Sequence, residues 1–369
     1  VAKMATTGRA FQFGIEAEYL LADAKTMRPV PYRELKFSVL NDLLESIPLH
    51  DLPSREGLLS QPPHRRIMPY VVEGYHLPDP FAPTPKLIPK GVEIRTPVCR
   101  SIDEAAQLAQ ELAVRLQNRL HDFGWIAVAL SHHPEEAPFA GPQGARSEQG
   151  WRWAQQAMLT FGPDVNISLP DSIQARLNPN DLVAKVNFYA PAMTLLTLQA
   201  PLVRGKLWRQ AGRVGKSVRT FRRSQVGEAI EFHPLQPGRL EFKCFEMTPR
   251  FDDFRAYLAL WLAVLLDDQL TERTDRAALI RDLQIASLEG LANQQLFDRA
   301  AALLQSAEQA LGRWDFDPQL LAPLANRLQS GRLPADDIID WFEAQGSIPA
   351  VLNHLAIATT ECPDSGATT

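Results

Sequence analysis

Residues 13 to 21 read Phe-Gly-Ile-Glu-Ala-Glu-Tyr-Leu-Leu, with apolar and acidic side chains in alternation. Successive side chains of a β-strand point to opposite faces, so Phe11, Phe13, Ile15, Ala17 and Tyr19 share one face and Glu16 and Glu18 the other. The apolar face must be buried, which places the strand in a sheet with one covered side and one polar side. Two carboxylates on one face repel unless a cation sits between them. A hard divalent ion such as Mg²⁺ meets that need, because it takes oxygen ligands and keeps positions open for phosphate. A half-exposed strand with a solvated acidic face meets it as well.

The same alternation recurs. In Gly91–Pro97, Val92, Ile94 and Thr96 oppose Glu93 and Arg95. In Asp164–Leu169, Asp164, Asn166 and Ser168 oppose Val165, Ile167 and Leu169. In Arg239–Phe245, Arg239, Glu241, Lys243 and Phe245 oppose Leu240, Phe242 and Cys244. Glu73, in a strand-like piece at Tyr70–Tyr75, offers one more carboxylate. If these strands share a sheet, its concave face gathers Glu16, Glu18, Glu93, Asn166 and Glu241, with Lys243 and Arg95. That is a cradle for metal ions and a nucleoside triphosphate; the alternative is one solvated face of an antiparallel sheet.

With 369 residues, 45% of them hydrophobic and 22% charged, the chain has the make-up of a soluble globular protein of about two domains. A net charge of −5 argues against a generally basic protein that coats nucleic acid. Cys99, Cys244 and Cys362 lie far apart without a Cys-x-x-Cys, so neither zinc nor a disulfide framework is indicated, and a reducing cytoplasm is expected. The N-terminus has no signal-peptide pattern, and the longest apolar run, Ala256–Leu266, is too short to span a membrane and reads as a buried helix. Helical spacing predicts Glu34–Ile47 and a long helix opened by a Ser101/Glu104 capping box and stopped at Gly124. A strand follows at Trp125–Leu130, then a loop from Ser131 to about Gly150. Helices then succeed one another at roughly Phe254–Leu270, Arg276–Gly290, Gln295–Gly312, Pro318–Ser330 and Ala335–Ala344. The expected organisation is a mixed unit over 1–270, a helical C-terminal part of the same unit over 271–360, and a frayed tail over 361–369.

Residues 204 to 223 hold Arg204, Lys206, Arg209, Arg213, Lys216, Arg219, Arg222 and Arg223 and no acid. Such a run needs an anionic partner, for which ATP phosphates or an amino-acid carboxylate qualify, or heavy solvation as a loop. RNA is disfavoured, since only Trp208 and Phe221 are there to stack on bases. His132 and His133 read as loop histidines on opposite faces rather than joint metal ligands. No P-loop, Rossmann turn or nucleophile elbow is present.

Taken in order, these segments resemble the glutamate–cysteine ligase family, within the carboxylate–amine ligases related to glutamine synthetase. Phe-Gly-Ile-Glu-Ala-Glu-Tyr-Leu-Leu is similar to the family's opening Gly-x-Glu-x-Glu strand, and Gly-Val-Glu-Ile-Arg-Thr-Pro-Val to its Glu-x-x-Thr-Pro strand. Asp-Val-Asn-Ile-Ser-Leu occupies the place of a strand that often reads His-Val-His-Val or Gln-Val-Asn, Ser217 and Arg219 that of a Ser-x-Arg, and Arg-Leu-Glu-Phe-Lys that of the final Glu-x-Arg. The likeness covers roughly Phe11 to Leu270. Two departures stand out: Asp164 and Asn166 replace histidines, and Lys243 replaces an arginine whose fork it lacks.

The resemblance implies an α+β fold with a glutamine synthetase-like curved, mainly antiparallel sheet, helices on its outer face and a helical C-terminal part. It implies ATP and Mg²⁺ as cofactors, with Glu16, Glu18, Glu93 and Glu241 as metal ligands and Asn166, Arg204, Ser217, Arg219 and Arg222 around the nucleotide. Arg219 and Lys243 are the expected catalytic residues. The γ-carboxylate of glutamate would be activated as an acyl phosphate and joined to an amine, cysteine first among them. The rivals are an amide ligase for another carboxylate–amine pair, and an inactive relative that binds nucleotide or RNA. The expected partners are small molecules, with no membrane, and a homo-oligomer is allowed.

Overall fold

The computed structural model describes residues 10–77, 86–223 and 227–358; the expected tail, Cys362 and the side chain of Arg223 lie outside the described residues. Strand β1 (Gln12–Asp23) is the axis of the molecule. It pairs antiparallel with β3 (Leu87–Arg95) on one side and β5 (Pro163–Ser168) on the other, while its last residues also pair with β4 (Trp125–Val128). Beyond β3 lies β2 (Tyr70–His76), and beyond β5 lie β11 (Arg239–Phe242) and β10 (Ile230–Phe232), giving the order β10-β11-β5-β1-β3-β2. All the segments expected from alternation therefore belong to one antiparallel, curled sheet, as the predicted fold class required. Between β5 and β10 the chain forms two small ribbons, β6 (Leu202–Val203) with β7 (Lys206–Leu207) and β8 (Arg209–Gln210) with β9 (Arg213–Val214).

On the apolar face, Phe13, Ile15, Ala17 and Tyr19 are buried; α2 (Ile102–Asp122) packs on β1, and α7 (Phe251–Leu266) packs on α2 and β5. The predicted capping box opens α2: Ser101 Oγ accepts from the Glu104 N–H at 3.0 Å. The Glu104 carboxylate reaches back one residue further than the usual box, accepting from the Arg100 N–H at 2.5 Å. Leu108, Leu112, Leu116 and Leu120 then line the buried side. From Ala256 onward α7 is apolar all round and is buried all round. Its Trp261 packs on Phe242 with ring centroids 5.3 Å apart, and Tyr257 stacks on Phe245 at 4.5 Å.

Helix α1 (Phe37–Glu45) is shorter than its predicted span, because Tyr32–Glu34 form a separate 3₁₀ turn. The loop after β4 ends at Ser147, whose Oγ caps α3 (Glu148–Ala157). The single turn α4 (Asp171–Gln174) and the long α5 (Pro179–Leu195) were not anticipated. The start of α5 was nonetheless encoded, by a capping Asn178 followed by proline at the first helical position. Helix α6 (Val218–Arg223) closes the basic stretch. The C-terminal helices α8 (Arg276–Glu289), α9 (Gln294–Arg313), α10 (Ala322–Ser330), α11 (Pro334–Gln345) and α12 (Ile348–Leu355) share one hydrophobic core with the sheet. A buried Arg327–Asp253 ion pair at 2.6 Å ties α10 to α7. After α12 the chain returns to β4, where Ile357 N–H donates to the Ala127 carbonyl. Among the described residues no helix is long and apolar enough to cross a membrane.

Candidate active site

Residues paired directly across an antiparallel ladder present their side chains on the same face. Glu16 stands opposite Arg95 and Asp164, Glu18 opposite Glu93, and Asn166 opposite Glu241. The register thus brings Glu16, Glu18, Glu93, Asn166 and Glu241 to one polar face, with Glu231 beside Glu241 on the edge strand.

Every one of these carboxylates has a basic partner. Arg239 forks among three neighbours: its Nε donates to Asn166 Oδ1 at 2.8 Å, one terminal nitrogen to Gln236 at 2.7 Å, and the other to Glu16, with Glu241 3.6 Å away. Arg95 donates to Glu93 at 2.8 Å and lies 3.9 Å from Glu16. Lys243 contacts Glu241, Asp164 at 2.9 Å and Glu231 at 3.4 Å. Lys90 donates to Glu18 at 2.9 Å and to the carbonyls of Ala157 and Thr160 at 3.1 and 2.8 Å, with Glu73 4.0 Å away. The second oxygen of Glu18 accepts from the Gly162 N–H at 2.9 Å, where a Cβ would lie 2.0 Å from the Arg219 guanidinium.

Charge crowding shapes the titration of this face. Burial alone would raise the Glu16 carboxyl, but Arg95 and Arg239 outweigh it and hold the group below the ordinary range. Burial raises Glu93 well above that range against the pull of Arg95, with Glu16 and Glu73 adding to the rise. Burial and the neighbouring Asp164 push Glu241 up to about 8 despite Lys243. Burial would lower Lys243, yet Asp164 and Glu241 outweigh it and keep the ammonium firmly charged.

Two cavities open on the polar face and share no lining residue. The larger, about 450 Å³, is lined by Glu16, Arg95, Asn166, Arg239 and Glu241 together with the loop around Gly57. The smaller, about 250 Å³, is lined by Glu18, Glu73, Lys90, Asp164, Arg219 and Lys243. The Lys243–Glu241 pair bridges from one to the other.

Glu93, Ser217, Arg204 and Arg222 line neither cavity. Ser217 is fully buried and donates to Glu246, which also accepts from Thr220 at 2.6 Å and the Gln199 N–H at 2.6 Å. Arg204 is exposed in the turn between β6 and β7. Arg222 donates to His132 Nε2 at 3.3 Å. Arg219 is buried and donates to the main-chain carbonyls of Phe245 and Lys243, so it braces the chain beyond β11 while its end borders the smaller cavity. The basic run is thereby divided: Lys216 pairs with Asp336 and Arg213 with Glu289 of the C-terminal helices. His132 and His133 are buried rather than solvated, and burial and Arg222 push His132 down to about 3.

Lys90 and Arg239 are the site residues that were not singled out. Arg239 was legible as a member of the polar alternation. Lys90 was not, because Glu73 pairs with Gly91 and Gly74 with Pro89, leaving Lys90 as the extra residue of a β-bulge that breaks strict alternation.

Among the described residues no group of three or more His, Cys, Asp or Glu is arranged to hold a metal ion. The two halves of the face differ in how well they suit one. Around Glu16 and Glu241 the carboxylates of Glu93, Asp164 and Glu231 crowd as well, so five acids face the three cations Arg95, Arg239 and Lys243 and negative charge is left in excess. That excess would draw a hard divalent ion, which would have to displace Arg239 from Glu16 and Lys243 from Glu241. Around Glu18 the oxygens already surround the Lys90 ammonium, and that half does not fit one.

No curated protein sequence matches the chain significantly. Its structure is similar to a bifunctional glutathione synthetase from Pasteurella multocida, with a TM-score of 0.59 and 15% identity over 94% of this chain and 51% of that one. The chain thus spans about half the length of that protein. It is similar to a glutamate–cysteine ligase from Francisella tularensis in complex with AMP, with a TM-score of 0.58 and 11% identity over 94% and 87% of the two chains. A third likeness is to PafA, the ligase of the prokaryotic ubiquitin-like protein Pup, with a TM-score of 0.52 and 11% identity over 95% and 73%. At these identities the shared property is the fold. The sequence itself matches the model of glutamate–cysteine ligase family 2 over residues 12–211, more than half of the chain and including β1, β3 and β5, and on that match the protein belongs to this family.

Proposed function

We propose that the protein is an ATP-dependent carboxylate–amine ligase that activates the γ-carboxylate of glutamate as an acyl phosphate and joins it to an amine, with cysteine the first candidate. The observation that carries this reading is the meeting of Glu16, Asn166 and Glu241 from three strands at the wall of one open cavity. Family membership and the AMP found with the Francisella enzyme support a nucleotide in that cavity. Glu16 and Glu241 would hold a divalent ion there, whose positive charge would neutralise the phosphates.

In this reading the chain's own contribution is charge placement. Lys243 and Arg239, fixed by carboxylates on either side, present permanent positive charge where the transferred phosphoryl group develops negative charge. Asn166 is held by Arg239 and orients toward the nucleotide's phosphates. Arg219 sets the position of Lys243 through its main-chain carbonyl. The carboxylate substrate lies toward the smaller cavity, beside Lys243, and the amine reaches the acyl group from there. No protein nucleophile is required, because the amine displaces phosphate directly.

The test is a mass-spectrometric search for an amide product from protein, ATP, Mg²⁺, glutamate and a mixture of amines, with ADP release measured in parallel. γ-Glutamylcysteine is the expected product. ADP release that depends on a different carboxylate or amine moves the assignment to that pair. Nucleotide binding with no ADP from any pair would replace the ligase reading with that of an inactive nucleotide-binding relative.

A further inference from the structure

The arrangement around Lys90 has a chemistry of its own. Its ammonium sits among four oxygens: Glu18 at 2.9 Å, the Thr160 and Ala157 carbonyls at 2.8 and 3.1 Å, and Glu73 at 4.0 Å. The Lys90 side chain is only 5% exposed, and its three protons match the three nearest acceptors. Mg²⁺ binds oxygen at about 2.0–2.1 Å and Ca²⁺ at about 2.3–2.6 Å, so these spacings are those of hydrogen bonds to an ammonium, and the oxygens would have to draw in around either ion. Glu18 comes from β1, which also carries Glu16, and Glu73 from β2, and the bulge at Glu73 and Gly74 is what turns Lys90 toward them.

We infer that Lys90 is a built-in cation that takes the place of a divalent ion at Glu18, so that, on the ligase reading, any divalent ion this face binds is held without Glu18. Lys90 is a positioning residue: it fixes Glu18, and it ties the turn after α3 to the sheet through Ala157 and Thr160. Its protons are spent on these acceptors, so although it borders the smaller cavity it has none left to donate to a substrate.

The test counts Mn²⁺ bound to the full-length chain by electron paramagnetic resonance, in wild type, Glu18→Gln, Lys90→Met and the double variant. Wild type and Glu18→Gln should bind the same number of ions. Lys90→Met should bind one more, because Glu18, Glu73 and the freed carbonyls are left without their cation, and Glu18→Gln in that background should abolish the gain. Mg²⁺ at about 100 times its dissociation constant should raise the melting temperature of Lys90→Met by roughly 4 °C more than that of wild type. Loss of one ion in Glu18→Gln alone would overturn the inference, and that arm stands even if Lys90→Met fails to fold. An unchanged ion count in a folded Lys90→Met would overturn it too. The counts are read without turnover, so a failure of the ligase reading is distinguishable from a failure here.

Discussion

Arg239 is the group whose removal speaks most directly to how the polar face is held. It donates to Asn166, Gln236 and Glu16 and lies 3.6 Å from Glu241. Arg239→Met would leave Glu16 with Arg95 alone, at 3.9 Å. Breaking a buried ion pair from one side costs about 3–5 kcal/mol. The side chains of Arg239 and Glu16 are 15% and 18% exposed, and each carboxylate keeps a second cation, so we expect about 2–3 kcal/mol for this substitution. Urea unfolding of Arg239→Met, Glu16→Gln and the double variant should give a coupling of about 1.5–3 kcal/mol near neutral pH. The sign of its pH dependence follows from Glu16, whose carboxyl is held below its ordinary value. A depressed carboxylate stabilises the fold fully above its unfolded value and loses that contribution as pH falls through the folded one. The coupling should therefore stay level from about pH 7 down to about 4.5 and shrink only as pH falls below that. A coupling below about 0.5 kcal/mol near neutrality, or one that does not change with pH, would refute the assignment of Arg239 as the partner that keeps Glu16 ionised.

Glu241 carries the opposite sign. Its carboxyl is raised to about 8, so its contribution is present below the unfolded value near 4.5 and is lost as pH rises through about 8. Glu241→Gln should flatten the fall in stability between those limits, by at most about 1.4 kcal/mol per pH unit, and thermal melts across that range measure it. Lys243→Ala should cut ADP release by at least about 100-fold while Lys243→Arg retains most of it, since a fixed positive charge is the requirement; equal rates in both would remove Lys243 from the reaction. Ser101→Ala should cost about 1 kcal/mol through loss of the α2 cap and leave ADP release unchanged, which calorimetry and the same assay check together. Arg327→Met should destabilise by about 3–5 kcal/mol, because it strands the buried Asp253, and urea unfolding measures it.

Much of the site could be read without coordinates wherever the information was local. Alternation is a property of neighbouring residues, so the faces of β1, β3, β5 and β11 followed from their own sequences, and the polar members proved to share a sheet. The capping box at Ser101 and the all-round apolar run of α7 from Ala256 were legible for the same reason. The fate of the basic stretch was not, because composition does not record which arginine is packed inside. Arg219 turned inward onto main-chain carbonyls, Lys216 went to Asp336, and Ser217 was buried against Glu246.

By itself, then, the order of residues determined that a strand bearing Glu16 and Glu18 must have one buried and one polar face, and which other strands carry polar groups of the same kind. Only the tertiary structure decided that Arg239 sits between Glu16 and Asn166, and that a bulge turns Lys90 onto Glu18. The physical reason is range: side-chain direction along a strand is fixed by adjacent peptides, whereas the neutralisation of a buried charge depends on groups brought together from distant parts of the chain.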